Sequence, residues 1–222
     1  PFAVVDHHEC HLRSAYAPSG WSRAAALSVD GKGDGAAGAI AVGDGDELRV
    51  VARQPSASSV GRLWHALAIC CGYPHFGAAG KVMALGAYGR PRHLEALLAC
   101  TSLCPDGTFR FTAPGEAVGE GQTFRRAELQ AAFFGRHLGV LPPPAGELPG
   151  PAHADLAASV QAWTDQVVAH MARAALRAAG SERLCLAGGV ALNVLTNRHL
   201  LREGVVKELF VQPAAGDSGL SL

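Results

Sequence analysis

The sequence predicts an α/β fold in which helices cover a mixed five-stranded sheet, and three observations predict it. Three strand-like runs separated by Gly/Asp turns lie between Ala24 and Ala52. A long amphipathic pattern over Ala154–Ala179 is followed by a strand, a helix and a strand, an alternation that brings strands into parallel pairing. The chain of 222 residues is 49% apolar and only 17% charged, which supports a packed core and excludes a disordered polymer.

Each element has its own local cause. Pro1–Val5 is apolar and strand-like, and Asp6–Tyr16 reads as a short helix because His7, His11 and Ala15 recur at i+4 on one face. Ala24–Val29 is a strand ending at Asp30, Gly31–Gly35 is a tight turn, Ala36–Val42 is a second strand, Gly43–Asp46 turns again, and Glu47–Ala52 alternates as a third. Ser59 caps a helix that runs to about Cys71 and stops at Gly72. From Tyr73 to Pro151 the periodicity weakens and Gly and Pro accumulate, so the stretch 73–151 reads as an insertion with short helices near 91–100 and 125–138. In the long helix, Leu156, Val160, Trp163, Val167 and Met171 form one stripe, while Gln161, Asp165, Arg173 and Arg177 lie away from it. Arg183–Ala187 is a buried strand, Gly188-Gly189 a turn, Val190–Arg202 a helix and Lys207–Val211 a last strand.

This order matches the ribonuclease-H-like half of an actin-like ATPase domain without its last helix. Residues 24–222 are expected to form that half, and residues 1–23 the edge of a preceding half-domain carrying the His-x-x-x-His helix. The chain is accordingly expected to be a fragment of a longer polypeptide.

Nineteen Lys and Arg balance nineteen Asp and Glu, which removes the simplest electrostatic case for nucleic acid or an anionic membrane. No apolar run reaches the roughly 18–20 residues of a membrane span, and a cytoplasmic location is expected. The six cysteines include the adjacent pair Cys70-Cys71 and lack the spacing of a disulfide framework, so reduced thiols are expected. Cys100 and Cys104 are four apart but have no second pair at zinc-finger spacing.

Three motifs can carry chemistry. His7 and His11 project from one helix face a turn apart, the spacing at which two imidazoles share a cation, although such a pair is often only a surface feature. Asp30 at a strand end and Asp217 in Gly216-Asp217-Ser218-Gly219 would complete a mixed nitrogen and oxygen site suited to iron, manganese or zinc. Asp30-Gly31-Lys32-Gly33-Asp34-Gly35 is a turn whose glycines let backbone N–H groups approach an anion; it is not a Walker A loop. Leu184–Asn193 is a strand entering a helix through Gly188 and Gly189, with Asn193 one turn in, a place for a phosphate or a ribose. Lys81 stands alone in an apolar, Gly-rich stretch where it can meet an anionic ligand.

Together Asp6-His7-His8-x-x-His11, Asp30-Gly31-x-Gly33-Asp34-Gly35, Gly80-Lys81-Val82-Met83-x-Leu85-x-x-Tyr88-Gly89, Ala187–Asn193 and Gln212–Gly219 resemble the O-carbamoyltransferases of antibiotic and nodulation-factor biosynthesis. The resemblance implies an actin-like fold related to the universal tRNA threonylcarbamoyl-adenosine synthase subunit, with His7, His11, Asp30 and Asp217 holding Fe2+ or another divalent metal. It also implies that Gly188, Gly189 and Asn193 line a nucleotide (ATP or ADP); Gly31 and Gly33 of the Gly-rich turn and Lys81, read from the residues themselves, are further candidates to contact its anionic groups. In such enzymes carbamoyl phosphate and ATP give a carbamoyl adenylate in a separate, downstream domain, and the metal-bearing domain passes the carbamoyl group to a small-molecule hydroxyl. His8 or a metal-bound oxygen is then a base to consider for the hydroxyl proton. A tRNA threonylcarbamoyl transferase and a non-catalytic nucleotide-binding actin-like module are the alternatives; the first is disfavoured by the missing basic patch.

Overall fold

The computed structural model describes residues 4–75, 77–113 and 127–221. Helix α1 (His7–Tyr16) leads into strands β1 (Arg23–Gly33), β2 (Ala36–Asp44) and β3 (Glu47–Pro55), followed by helix α2 (Val60–Cys70). The insertion holds α3 (Ala79–Leu85), α4 (Leu94–Ala99), the short strands β4 (Thr101–Leu103) and β5 (Phe109–Phe111), and α5 (Ala127–Leu138). The chain then runs through α6 (Pro151–Ala179), β6 (Arg183–Ala187), α7 (Val194–Arg202) and β7 (Glu208–Val211). The main sheet has the order β3-β2-β1-β6-β7, antiparallel across β1–β2 and β2–β3 and parallel across β1–β6 and β6–β7. The expected α/β class and mixed five-stranded sheet are both present.

Seven consecutive buried residues in β1 show that this strand is covered on both faces. Ala25, Leu27 and Val29 face the larger core, where α2 and α6 pack around Leu67, Trp163, Val167 and Met171. Ala24 and Ala26 face the other way, joining Ala39, Ala41, Cys185 and Ala187 beneath Leu12, Ala15 and Tyr16 of α1. Alanine on that face leaves only a methyl group between helix and sheet, so α1 lies close enough to bury His8 and His11 completely.

The two indole N–H groups inside the larger core are paired. Trp64 Nε1 donates to Thr164 Oγ1 at 3.0 Å, and Trp163 Nε1 donates to Thr101 Oγ1 at 2.8 Å. Buried Gln54 of β3 holds the insertion hairpin: its Nε2 donates to Phe109 O and its Oε1 accepts from Phe109 N.

Several sequence expectations need correction. Strand β1 extends through Gly33, and the turn proper is Asp34-Gly35, both at positive φ as a two-residue type I′ hairpin requires. The expected helix 190–202 is a 3₁₀ turn over Gly189–Leu192 followed by α7, and Asn193 is the N-cap of α7 instead of lying a turn inside it. Helix α3 and the β4–β5 hairpin were not expected, while the two short helices of the insertion are α4 and α5. Residues 125–126 and 1–3 lie outside the described residues, and Val4 and Val5 belong to no strand. Among the described residues no helix is long and apolar enough to cross a membrane.

The six cysteines are free, and Cys70, Cys71 and Cys185 are buried. Burial raises their thiols to about 11, about 12 and about 11. Folded thiols therefore keep protons that unfolded thiols release above about pH 9, so this part of the stability is whole below that value and declines as pH rises toward 11. At pH 8 the native protein should expose to Ellman's reagent only Cys10, Cys100 and Cys104, the remaining three appearing on denaturation. Six fast-reacting thiols in the native state would contradict this packing.

Candidate metal and ligand site

Asp6 begins the site by capping α1, its Oδ1 accepting from Glu9 N at 3.0 Å while also binding Arg53 at 2.9 Å. This start places His7 and His11 on the face of α1 directed at the end of β1. The hairpin turn returns to hold the same helix end, as Asp34 Oδ2 accepts from His7 N at 2.9 Å. Gly33 lies flat against the His7 imidazole, and a Cβ there would overlap the ring. Packing against His7 thus requires glycine at position 33.

Asp30 stands where β1 outruns its parallel pairing with β6, whose last partners are Ser28 and Ala187. Its Oδ1 accepts from Gly189 N at 2.9 Å, and its Oδ2 lies 3.1 Å from His7 Nε2 and 3.8 Å from His11 Nε2. The Asp30 backbone is fixed as well: Ser59 Oγ lies 3.0 Å from Asp30 O and 2.7 Å from Gly31 O, and accepts from Arg62 N to cap α2. Asp217 arrives from the segment after β7, which Gly188 ties down by donating its N–H to Ala215 O at 2.8 Å. Gly188 sits at φ +89 with no room for a Cβ beside Val29 O. Asp217 Oδ1 then lies 3.3 Å from His11 Nε2 and 3.7 Å from His7 Nε2.

The four predicted ligands converge: one donor atom from each of His7, His11, Asp30 and Asp217 lies within 4.8 Å of the others. Burial works against a charge on Asp30, yet the His11 imidazole, the Gly189 and Gly31 N–H groups and the His7 imidazole hold its carboxyl below the usual carboxylate range. His11 is wholly buried, and neither of its ring nitrogens has a hydrogen-bond partner although Nε2 faces two carboxylates. An orphaned nitrogen aimed at two acceptors, with Asp217 72% exposed on the open side, fits a divalent cation held by two nitrogens and two oxygens with room for further oxygen ligands.

Next to this cluster a cavity of ≈ 440 Å³ opens between α2, α3 and the β6–α7 turn, sharing Asp30 and Gly189 with it. Trp64, Met83, Val190 and Leu192 supply apolar walls, and Gly31, Gly80 and Asn193 also line it. Of the predicted ligand residues, Gly31, Gly189 and Asn193 reach the cavity, Gly188 braces it from behind, and Gly33 belongs to the histidines. Lys81 is on neither surface: it is exposed, its ammonium 5.6 Å from the centroid of the Tyr73 ring. His8 is fully buried with Nδ1 2.9 Å from Ser28 Oγ, its pKa lowered by burial, and it does not line the cavity, so it is not placed to take a proton there. Gly61 was not anticipated; it lets α2 touch the Asp30–Gly31 backbone, and a Cβ would come within 2.8 Å of Gly31 N.

A family model described as carbamoyltransferase N-terminus matches residues 1–222. The chain belongs to this carbamoyltransferase family. It is 35% identical over 222 residues to the protein sll1178 of Synechocystis, covering 99% of this chain and 35% of that one. It is 36% identical over 223 residues to the nodulation protein NolNO of Sinorhizobium fredii, covering 99% of this chain and 30% of that one. The chain therefore spans about a third of the length of these curated relatives. Among solved structures, a HypF from T. kodakarensis aligns with a TM-score of 0.48 at 16% identity, over 97% of this chain and 35% of that one.

Replacing Gly33 by Ala should push the His7 imidazole away from Asp30. The expected readout is a displaced His7 ring signal in ¹H–¹⁵N NMR with the remaining fingerprint preserved; an unmoved His7 signal would show that the ring is not seated on Gly33.

Proposed function

We propose that this domain carries out the transfer half of an ATP-dependent O-carbamoyltransferase, passing a carbamoyl group from carbamoyl adenylate to the hydroxyl of a small molecule. The observation that carries the reading is the convergence of His7, His11, Asp30 and Asp217 on one point beside a mostly apolar cavity. Membership of the carbamoyltransferase family supports the group transferred and carbamoyl phosphate as its source. The fold is read as one ribonuclease-H-like half of an actin-like domain over residues 24–222, with residues 1–23 as the edge of its neighbour. The other half and the adenylate-forming domain would lie elsewhere in a longer polypeptide, consistent with relatives about three times as long.

In the transfer, the acceptor oxygen bonds to the carbamoyl carbon, the bond from that carbon to the phosphate oxygen breaks, AMP leaves with the electron pair, and the hydroxyl proton is released to the AMP phosphate or to solvent. His7, His11, Asp30 and Asp217 would hold Fe2+ or another divalent cation, which supplies Lewis acidity toward a carbonyl or alkoxide oxygen. The protein's own part is to prepare that place. Asp30 is kept as a carboxylate by the His11 and His7 imidazoles and the Gly189 and Gly31 N–H groups, so this ligand presents an ionised oxygen to the site. Trp64, Met83, Val190 and Leu192 give the cavity apolar walls, a lining that would disfavour water beside a hydrolysable carbamoyl adenylate. Gly31, Gly189 and Asn193 line the wall proposed for the nucleotide.

Elemental analysis of anaerobically purified protein is expected to find near-stoichiometric iron, manganese or zinc, and His11→Ala is expected to lose it. Folded wild-type protein without metal after reconstitution would overturn the site. Asp217→Ala, on a 72% exposed side chain, should weaken metal retention by about tenfold or more while leaving the melting temperature within about 2 °C of wild type.

A further inference from the structure

Helix α6 carries two polar residues, Gln161 and Asp165, on the side turned to α7, where they are partly buried. Gln161 Nε2 donates to Asp165 Oδ1 at 2.7 Å and to Thr196 Oγ1 at 3.0 Å, and Thr196 Oγ1 donates to Asp165 Oδ1 at 2.7 Å. On its other side Gln161 Oε1 accepts from Asn193 Nδ2 at 3.0 Å. Asn193 Oδ1 in turn accepts from Leu195 N and Thr196 N, both at 3.1 Å, capping α7. Each bond dictates the direction of the next, because a carboxylate only accepts and an amide has one accepting and one donating end. With Oδ1 consumed by two N–H groups and one Nδ2 proton given to Gln161, the polar atom Asn193 has left for the cavity it lines is the second Nδ2 proton, which has no acceptor among the described residues.

We propose that Asp165, acting through Gln161, is a positioning residue that sets the polarity of this network, so that Asn193 offers the cavity a donor and selects a nucleotide atom that accepts. The inference rests on the nucleotide reading of the cavity. It makes residues on α6 outside the cavity wall responsible for what Asn193 can recognise, and it requires that the network carry a single carboxylate. Two carboxylates would leave Gln161 facing acceptors at both ends with only one donating end.

ATP binding by calorimetry and thermal melting test this on the chain, with Asn193→Asp and the double variant Asp165→Asn/Asn193→Asp. The single variant keeps a good helix cap but opposes two acceptors, so both the melting temperature and ATP affinity should fall, the latter by about tenfold or more. In the double variant the carboxylate has moved from one end of the network to the other; the amide at 165 can donate to Gln161 Oε1, and Gln161 can turn its Nε2 toward 193. Its melting temperature should return to near the wild-type value, whereas ATP affinity should stay low because the group at 193 now accepts. A purely structural network would restore both together, and that result would overturn the proposal. So would a single variant that melts and binds like wild type, or a double variant that stays as unstable as the single one. Failure of wild-type protein to bind ATP at all would overturn the nucleotide reading and this inference with it, whereas wild-type binding left unchanged by both variants would overturn the inference alone.

Discussion

The buried carboxylate of Asp30 is the constraint on which the rest of the site depends. A negative charge taken out of water costs several kcal/mol unless its lone pairs are satisfied, and removing a partner of a buried ion pair costs about 3–5 kcal/mol. Asp30 meets that demand from every side. The β6–α7 turn gives the Gly189 N–H, α1 gives two imidazoles, and the Ser59 hydroxyl contacts the backbone around it at the start of α2. Three elements are thus drawn to one residue near the end of β1.

That convergence is possible because the sheet is thin where it must be. Alanines on the α1 face of β1, β2 and β6 bring the helix down to the strands, so that His8 and His11 are enclosed rather than left at the surface. Glycines do the same at single points: Gly33 under His7, Gly61 against Gly31, and Gly188 against Val29. The large residues are kept for the opposite face, where Trp163, Phe109, Phe133 and Leu67 fill the volume between the sheet, α2 and α6. A site of fixed geometry on one side and a deep core on the other explain why the strand pattern in β1 is almost continuously apolar.

Much of this was readable in order along the chain. Asp34-Gly35 announces its hairpin, Ser59 its helix, and the stripe from Leu156 to Met171 the long helix that closes the core. The features the linear pattern does not announce share a physical cause. Helix α3 is seven residues long with no side-chain cap, and β4 and β5 are three residues each, too short for periodicity to show; Gln54 and packing stabilise that hairpin, not local preference. Gln161 and Asp165 were placed away from the core on helical phase, and they are off that stripe; the sequence could not tell that α7 would come to cover them. Asn193 was expected inside a helix because nothing in Gly189–Leu192 marks a 3₁₀ turn, although an Asn before an apolar run is itself a cap signal.

The sequence by itself determined the α/β order, the hairpins of β1–β3 and the i, i+4 pairing of His7 with His11, because these follow from spacing within a few residues. Only the tertiary structure decided that Asp30 and Asp217, 187 positions apart in the sequence, would face the same two imidazoles, and that Lys81 would turn to Tyr73 instead of the cavity. It also decided which end of each amide in the Asp165–Gln161–Asn193 chain faces its neighbour. Distances of that kind are set by how the sheet is covered on its two faces, and a linear pattern carries the period of an element but not the neighbour it will meet.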